Sequence, residues 1–220
     1  MVTVHLKRRY GDGCGVAQAL DVVGERWALL IVRDLLLGPK RFTDLQAGLP
    51  GAGPNILAQR LRDLESTGVV RRRTLPPPAG SKVYELTEWG AELDPIVTAL
   101  GLWGVRSPVL PLEGEVGADS IMLNLRACFT PSESRRWTAD YEIHIGRDRF
   151  TMRVVEGELV ETVRGQVVGT PDAEIEADPE TLDGLMLGKQ TVAEAIDAGC
   201  LRVTGSLHAT QLLFDATLIA

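Results

Sequence analysis

Hydrophobic positions recur at helical spacing through the first third of the chain and predict four helices. The first three cover residues 16–23, 27–37 and 41–47, and the second is apolar on most sides, as a central core helix would be. The fourth has Pro54 in its first turn and ends before Gly68, the usual placement of proline and glycine at helix ends. At ~100° per residue, one face of this fourth helix is apolar and carries Leu57, Leu61 and Leu64.

The opposite face of the fourth helix is polar and carries Asn55, Gln59 and Arg62. In the major groove of DNA, Asn and Gln side chains pair with adenine edges and Arg with guanine edges. The third predicted helix, a glycine-containing turn over residues 48–53 and the fourth predicted helix follow one another in helix-turn-helix order. The turn is somewhat long for this motif. The alternative is an ordinary surface helix whose polar face meets only solvent.

Two β-rich runs follow, over residues 69–75 and 81–86, and a Pro/Gly turn joins them into a predicted hairpin. The hairpin carries Arg71, Arg72, Arg73 and Lys82. Neighbouring like charges repel one another unless an anion lies close by, so the arginine run favours contact with phosphates. A helix suited to the major groove of DNA, followed by a basic hairpin suited to the DNA backbone, predicts a winged helix-turn-helix.

The next predicted helix starts at Thr87, a suitable N-cap, and runs to about Trp103. Its apolar stripe is longer than a small domain has room to bury, and comprises Leu93, Ile96, Val97, Leu100 and Trp103. A contact with a second copy of the chain would use this stripe, whereas packing within the domain is the alternative.

The second half of the chain predicts a separate α+β domain. A Pro- and Gly-containing linker at residues 107–118 precedes it, which divides the chain into domains at 1–106 and 119–220. A helix at residues 119–129 leads into strands at 137–145, 149–154, 158–163 and 173–177. Helices opening at Asp178, Thr191 and Ser206, and a strand at 201–204, complete the pattern.

Charge and composition restrict the classes of function that the sequence supports. Residues 1–107 hold 14 Lys/Arg against 11 Asp/Glu, whereas residues 108–220 hold 9 against 19, so only the first half suits nucleic acid. No apolar run is long enough for a membrane span, and the N-terminus lacks the apolar segment of a secretory signal. Three widely spaced cysteines fit neither a disulfide framework nor a zinc site, so a cytoplasmic location is expected.

The first half resembles the HxlR family of bacterial winged-helix transcriptional regulators. The carrying residues are C-G-V-A-Q-A-L-D-V-V-G-E-R-W-A-L-L-I-V-R-D-L-L-L-G-P-K-R-F-T-D-L-Q from Cys14, then L-A-Q-R-L-R-D-L-E, then Y-E-L-T-E-W-G. The resemblance implies a homodimer on a palindromic double-stranded operator, with Asn55, Gln59 and Arg62 at bases and the wing on the backbone. Arg60 lies at the edge of the apolar face, where a structural or phosphate-contacting role is expected. The predicted DNA-binding set is Arg41, Pro54, Asn55, Gln59, Arg60, Arg62, Arg71, Arg72, Arg73 and Lys82.

Cys14 falls where many members of this family carry a cysteine, and some of those members sense oxidants or electrophiles through it. Such a role requires an exposed, stabilised thiolate, and the alternative is a buried or inert thiol. Gly15 follows it here, where the family usually has proline. The basic arm formed by Lys7, Arg8 and Arg9 either contacts phosphates or is a frayed terminus.

The second half resembles sterol-carrier-protein-like domains through R-F-T-M-R-V-V-E-G-E-L, A-E-I-E-A-D-P-E-T-L-D-G-L-M-L-G-K and A-I-D-A-G-C-L-R-V-T-G-S. That resemblance implies a curved sheet backed by helices, with an apolar cavity for a small hydrophobic ligand. The alternative for each predicted cavity residue is plain core. These residues are Phe129, Phe150, Met152, Leu185, Met186, Leu213 and Phe214.

The sequence therefore predicts a one-component transcriptional regulator whose DNA binding responds to a small apolar ligand. The alternatives are a redox switch through Cys14 and a lipid-carrier-like binding protein. Catalysis has little support, because the three histidines are far apart and no nucleophile elbow, phosphate loop or metal-ligand spacing occurs. We accordingly expect no enzyme activity, no metal and no cofactor.

Overall fold

The computed structural model describes residues 10–76, 80–109, 114, 116–131 and 136–218. The chain divides into two compact units, Met1–Leu112 and Glu113–Ala220, and the division falls within the predicted linker. Among the described residues, no helix has both the length and the apolar character needed to cross a membrane.

In its described residues, the first unit contains four helices, a two-stranded hairpin and two further helices. The helices before the hairpin are α1 (Gly15–Val23), α2 (Ala28–Leu35), α3 (Phe42–Gly48) and α4 (Pro54–Ser66). The hairpin consists of β1 (Val70–Thr74) and β2 (Lys82–Leu86), paired antiparallel, and α5 (Glu88–Ala91) and α6 (Asp94–Gly104) follow it. This order confirms the first four predicted helices and the predicted hairpin.

Helix α2 lies at the centre of the first unit, as its apolar composition predicted. Ile31 and Val32 of α2 are fully buried. The predicted apolar face of α4 is also buried against this core, and consists of Leu57, Leu61 and Leu64. Helix α2 begins one residue later than predicted, because Trp27 has a left-handed backbone with φ of 77°.

Two glycines at the end of α3 and in the turn before α4 lie close to other side chains. A Cβ atom on Gly48 would lie 2.6 Å from Asp34 Oδ2, and one on Gly51 would lie 2.7 Å from the Trp27 ring. Both glycines therefore allow the end of α3 and the turn after it to lie close to Asp34 and Trp27.

The single helix predicted over residues 87–103 is wrong, because the structure has α5 and α6 separated at Glu92 and Leu93. Pro95 lies in the first turn of α6, where a backbone N–H would have no partner within the helix. In a continuous helix, the ring of Pro95 would clash with the carbonyl of residue 91. The predicted N-cap is confirmed, since the Thr87 hydroxyl accepts the Gly90 amide at 3.0 Å.

The second unit is a five-stranded sheet with helices against it. Its strands are β3 (Ala139–Ile145), β4 (Asp148–Val155), β5 (Glu158–Arg164), β6 (Ala173–Ala177) and β7 (Leu201–Gly205), in the order β5-β4-β3-β6-β7. The pair β3–β6 is parallel and the other pairs are antiparallel. Its helices are α7 (Ala118–Cys128), α8 (Pro179–Met186), α9 (Val192–Asp197) and α10 (Leu207–Ala216). The predicted α+β class is confirmed.

The two faces of this sheet differ in character. One face is apolar and buried, with Tyr141 and Ile143 of β3 beside Met152 and Phe150 of β4. The Tyr141 hydroxyl donates to the Ala209 carbonyl of α10 at 2.9 Å, and burial raises the pKa of Tyr141 to about 12. This bond ties the centre of the sheet to the last helix.

Candidate DNA-binding surface

Helix α4 presents a polar face to solvent because its apolar face is locked in the core. Pro54 opens the helix and is exposed, as are Asn55 and Arg62, whereas Gln59 is half-buried. The structure therefore places the three predicted base-reading side chains on one outward side of α4, as the helical period required.

Hydrogen bonds connect the side chains along this face. Arg62 Nη2 donates to Gln59 Oε1 at 2.7 Å, and Gln59 Nε2 donates to Asp63 Oδ1 at 2.7 Å. Both ends of the Gln59 amide are therefore engaged within α4, and Gln59 holds the Arg62 guanidinium in a defined direction.

Arg60 turns away from this face and joins two parts of the unit. Its Nη1 donates to Asp63 Oδ2 at 2.7 Å, and its Nη2 lies 3.3 Å from Glu25 Oε2, before α2. These ion pairs give Arg60 the structural position expected from its place at the edge of the apolar face.

The three arginines of the wing, the hairpin β1–β2, divide between its two sides because β residues alternate. Arg71 Nε lies 2.7 Å from Glu85 Oε1, and Arg73 Nε lies 2.9 Å from Glu85 Oε2. On the other side, Arg72 Nε lies 3.0 Å from Glu65 Oε1 of α4, and the Arg72 guanidinium stacks 5.1 Å from the centre of the Tyr84 ring.

These ion pairs contradict one expectation drawn from the sequence. The arginine run was expected to require an external anion, but Glu85 and Glu65 supply negative charge from within the protein. The run by itself is therefore not evidence for phosphate binding. The sequence signal for Glu85 was its position opposite Arg71 across the hairpin, and this pairing was missed.

A buried ion pair anchors the wing to the helices. The Lys40 backbone N–H donates to the Tyr84 carbonyl at 3.0 Å and the Tyr84 N–H donates to the Lys40 carbonyl at 2.8 Å, which adds a short third strand segment to the wing. The Lys40 ammonium lies 3.4 Å from the carboxylate of buried Asp34 on α2. The wing and α4 are thus held on one scaffold.

The remaining predicted DNA contacts are more peripheral. Arg41 is exposed at the N-cap of α3, and Lys82 is exposed at the start of β2. The predicted basic arm, Lys7, Arg8 and Arg9, lies outside the described residues, as do the three residues 77–79 in the turn of the wing.

Helix α6 has no buried residue, although it is strongly apolar. Leu93 and Val97 of the predicted stripe pack partly against the core of the first unit, while three residues face solvent. The exposed fractions of these three residues are 56% for Ile96, 45% for Leu100 and 69% for Trp103. Packing within the unit therefore accounts for only part of the stripe.

Cys14 is an exposed thiol at the N-cap of α1, so it is not buried, and the alternative of an inert thiol stays open. Its Sγ accepts the Ala17 amide at 3.3 Å, and its own amide donates to Asp12 Oδ1 at 3.0 Å. Oxidants in solution can therefore reach this sulfur.

Six of the seven predicted cavity residues of the second unit are buried, and Phe129 is not. Phe129 is half-buried and lies beside Trp137, with ring centres 6.0 Å apart. The other six are buried, which plain core packing also explains, and they are Phe150, Met152, Leu185, Met186, Leu213 and Phe214.

Helix α3, its glycine-rich turn, helix α4 and the basic hairpin form a winged helix-turn-helix, the DNA-binding class that reads the major groove with its second helix. A model of the HxlR-like helix-turn-helix family matches residues 22–108. The transcriptional regulator YvaP of Bacillus subtilis (strain 168) is 38% identical over 89 residues, which is 40% of this chain and 82% of YvaP. YodB of the same organism is 35% identical over 85 residues, covering 39% of this chain and 76% of YodB.

Solved structures of two regulators also match the first half of the chain. The oxidized form of the redox regulator HypR has a TM-score of 0.41 and 32% identity, covering 44% of this chain and 100% of the HypR chain. The reduced form of YodB from B. subtilis has a TM-score of 0.39 and 31% identity, covering 44% of this chain and 97% of that chain. On the family model and the sequence relatives, the chain belongs to the HxlR family and is a transcriptional regulator of that type.

Proposed function

We propose that this regulator binds a palindromic DNA operator as a homodimer, with α4 in the major groove and the wing along the backbone. The outward face of α4 carries the proposal, because Asn55 and Arg62 are exposed on a helix whose other face is fixed in the core. Asn offers a bidentate pair to adenine and Arg a bidentate pair to guanine. Gln59 positions Arg62 through the bond between them.

The wing supports this arrangement through its exposed charge. The side chains of Arg71, Arg72 and Arg73 keep exposed fractions of 63%, 54% and 49% despite their ion pairs. A guanidinium has five N–H donors, so a bond through Nε leaves the terminal nitrogens for phosphate oxygens.

Helix α6 supports dimer formation. Ile96, Leu100 and Trp103 form an exposed apolar stripe in a helix with no buried residue, and a second copy of the same helix would cover it. Val16 and Leu20 of α1, in the same unit, are exposed apolar residues as well.

Replacing Asn55 with alanine is expected to cost ~1–3 kcal/mol on the specific site and to flatten the preference at one base position, because it removes a base contact. Lys82→Ala is the matched comparison, since it removes an exposed charge from the wing. That change is expected to weaken binding to all sequences and to reduce the salt slope by about one. Fluorescence anisotropy with specific and random duplexes measures both effects, and the reverse assignment of effects would contradict these roles.

Replacing Leu100 with glutamate is expected to weaken dimerisation by at least ~100-fold, about 2.7 kcal/mol, because it places a charge in the apolar contact. Val168→Glu is the control, since Val168 is 96% exposed in the second unit. Sedimentation velocity at micromolar concentration measures the outcome. Equal dimerisation of both variants would remove α6 from the interface.

We further propose that the second unit binds a small apolar ligand that carries a neutral oxygen. Two buried polar atoms in the described part of this unit have no hydrogen-bond partner, Thr162 Oγ1 and Arg164 Nε. Both residues lie on the core side of β5, where Thr162 pairs with Met152 and Arg164 with Phe150, two of the predicted cavity residues. A buried polar group without a partner is costly, and a ligand oxygen would supply the missing bond.

The surroundings of Arg164 favour a neutral oxygen over a carboxylate. The guanidinium already bonds Asp119 and, at 2.5 Å, Asp148, and it lies 4.6 Å from the centre of the Phe150 ring. A third anion beside two carboxylates would be repelled. An alcohol, ketone or ester oxygen on an apolar body fits these groups better.

Long-chain alcohol binding tests this ligand class, with 1-dodecanol as the probe and dodecanoate as its charged counterpart. The alcohol is expected to bind more tightly, and Thr162→Val to weaken it about fivefold, the worth of one hydrogen bond of ~1 kcal/mol. Val160→Thr is the control on the exposed part of β5. Titration calorimetry measures the affinities, and no binding of either probe would contradict the ligand role.

A second candidate function is redox sensing, which the exposure of Cys14 and its place at a helix N-cap favour. Peroxide would oxidise this thiol to a sulfenic acid with release of water, and would change the cap that holds the first turn of α1. Burial raises the pKa of the Cys128 thiol, which disfavours the reactive thiolate there.

Under this second candidate, peroxide is expected to lower operator affinity of the wild type and to leave Cys14→Ser unaffected. Cys200→Ser is the matched control, because Cys200 is also an exposed free thiol. Anisotropy before and after oxidation, with mass spectrometry to locate the added oxygen, measures the response. Oxidised Cys14 with unchanged operator affinity would end the redox role.

A further inference from the structure

Two carboxylates, one on the wing and one on α4, pair with the arginines of the wing. Glu85 uses both of its oxygens, Oε1 at 2.7 Å from Arg71 Nε and Oε2 at 2.9 Å from Arg73 Nε. Glu65 of α4 lies 3.0 Å from Arg72 Nε on the other side of the hairpin. All three wing arginines therefore have a carboxylate partner in the free protein.

Burial differs sharply between the partners. The Glu85 side chain is 12% exposed, whereas its arginine partners are 63% and 49% exposed. The carboxylate thus lies beneath two outward guanidinium groups. It cannot leave with them when they move toward solvent, and its charge stays close to any phosphate that they bind.

Two consequences follow from this geometry. The negative charge of Glu85 offsets part of the charge that attracts DNA of any sequence, since non-specific binding depends on phosphate neutralisation. The ion pairs at Nε also orient both guanidinium groups while leaving their terminal nitrogens available. An arginine held in this way binds a phosphate well only in the register that its direction matches.

We propose that Glu85 is a specificity-determining residue, which weakens binding to random DNA and orients Arg71 and Arg73 for the backbone of the correct site. The inference rests on the proposed DNA-binding function. Glu65 acts in the same way on Arg72, and because it lies on α4 it links the direction of that arginine to the position of the base-reading helix.

The experiment compares Glu85→Gln with the wild type on two duplexes of equal length, one carrying a site selected from a random library and one of random sequence. Binding to the random duplex is expected to become steeper in salt by about one unit of slope, a gain of roughly tenfold at 0.1 M relative to 1 M salt. Affinity for the selected site is expected to change less than threefold, because lost orientation opposes the gained charge. The ratio of specific to random affinity therefore falls.

Glu92→Gln is the control for net charge, since Glu92 is exposed on the turn between α5 and α6. Glu65→Gln is the second variant, and it is expected to lower the same ratio through Arg72. Circular dichroism verifies that each variant is folded.

The outcomes separate the two claims. If the wild type discriminates the selected site, two results overturn the role of Glu85 and leave the DNA-binding function standing. In the first, both glutamate variants change the affinities for the two duplexes equally. In the second, they change these affinities no more than Glu92→Gln does. A wild type that binds no duplex overturns both.

Discussion

The burial of one face of α4 is the constraint on which the DNA-binding surface depends. Leu57, Leu61 and Leu64 are all essentially inaccessible to solvent, so the helix cannot rotate about its axis without exposing them. That fixed rotation directs Asn55 and Arg62 outward. Gly48 and Gly51 allow the chain just before this helix to lie close to Asp34 and Trp27, which a Cβ atom would meet. A core requirement thereby determines which side chains can meet a base.

On the surface built on this core, carboxylates offset part of the positive charge of the arginines. Arg60 bonds Asp63 and Glu25, Arg72 bonds Glu65, and Glu85 serves two arginines. Exposed ion pairs contribute little to stability, usually ~0–1 kcal/mol, so their main consequence here is the direction and net charge of the guanidinium groups. Under the role proposed for Glu85, such a wing restrains binding to arbitrary DNA more than a bare arginine run would.

Local patterns in the sequence predicted the parts of the fold that depend on local physics. The 3.6-residue period gave the two faces of α4, and the cap at Thr87 was visible from its position before an apolar run. The interruption at Pro95 was also encoded locally, but the continuous apolar stripe concealed it. The left-handed backbone of Trp27 had no such signal, because residues other than glycine rarely adopt this conformation.

Contacts between distant segments were the part that sequence reasoning missed. The pairing of Glu85 with Arg71 depends on the register of the hairpin, and that of Arg72 with Glu65 on the docking of the wing against α4. The parallel pairing of β3 with β6 likewise follows from a crossover rather than from local alternation. The unpartnered atoms of Thr162 and Arg164 emerge only once the sheet is assembled.

Selection of bound sites from a library of random DNA duplexes tests the central claim most directly, because the operator sequence need not be known beforehand. The account predicts an enriched inverted repeat whose half-sites are about one helical turn, ~34 Å, apart or a multiple of it, since a symmetric dimer reads each half with one copy of α4. Recovery of no common motif, or of a single unrepeated half-site, would contradict a dimeric regulator that reads sequence through Asn55 and Arg62.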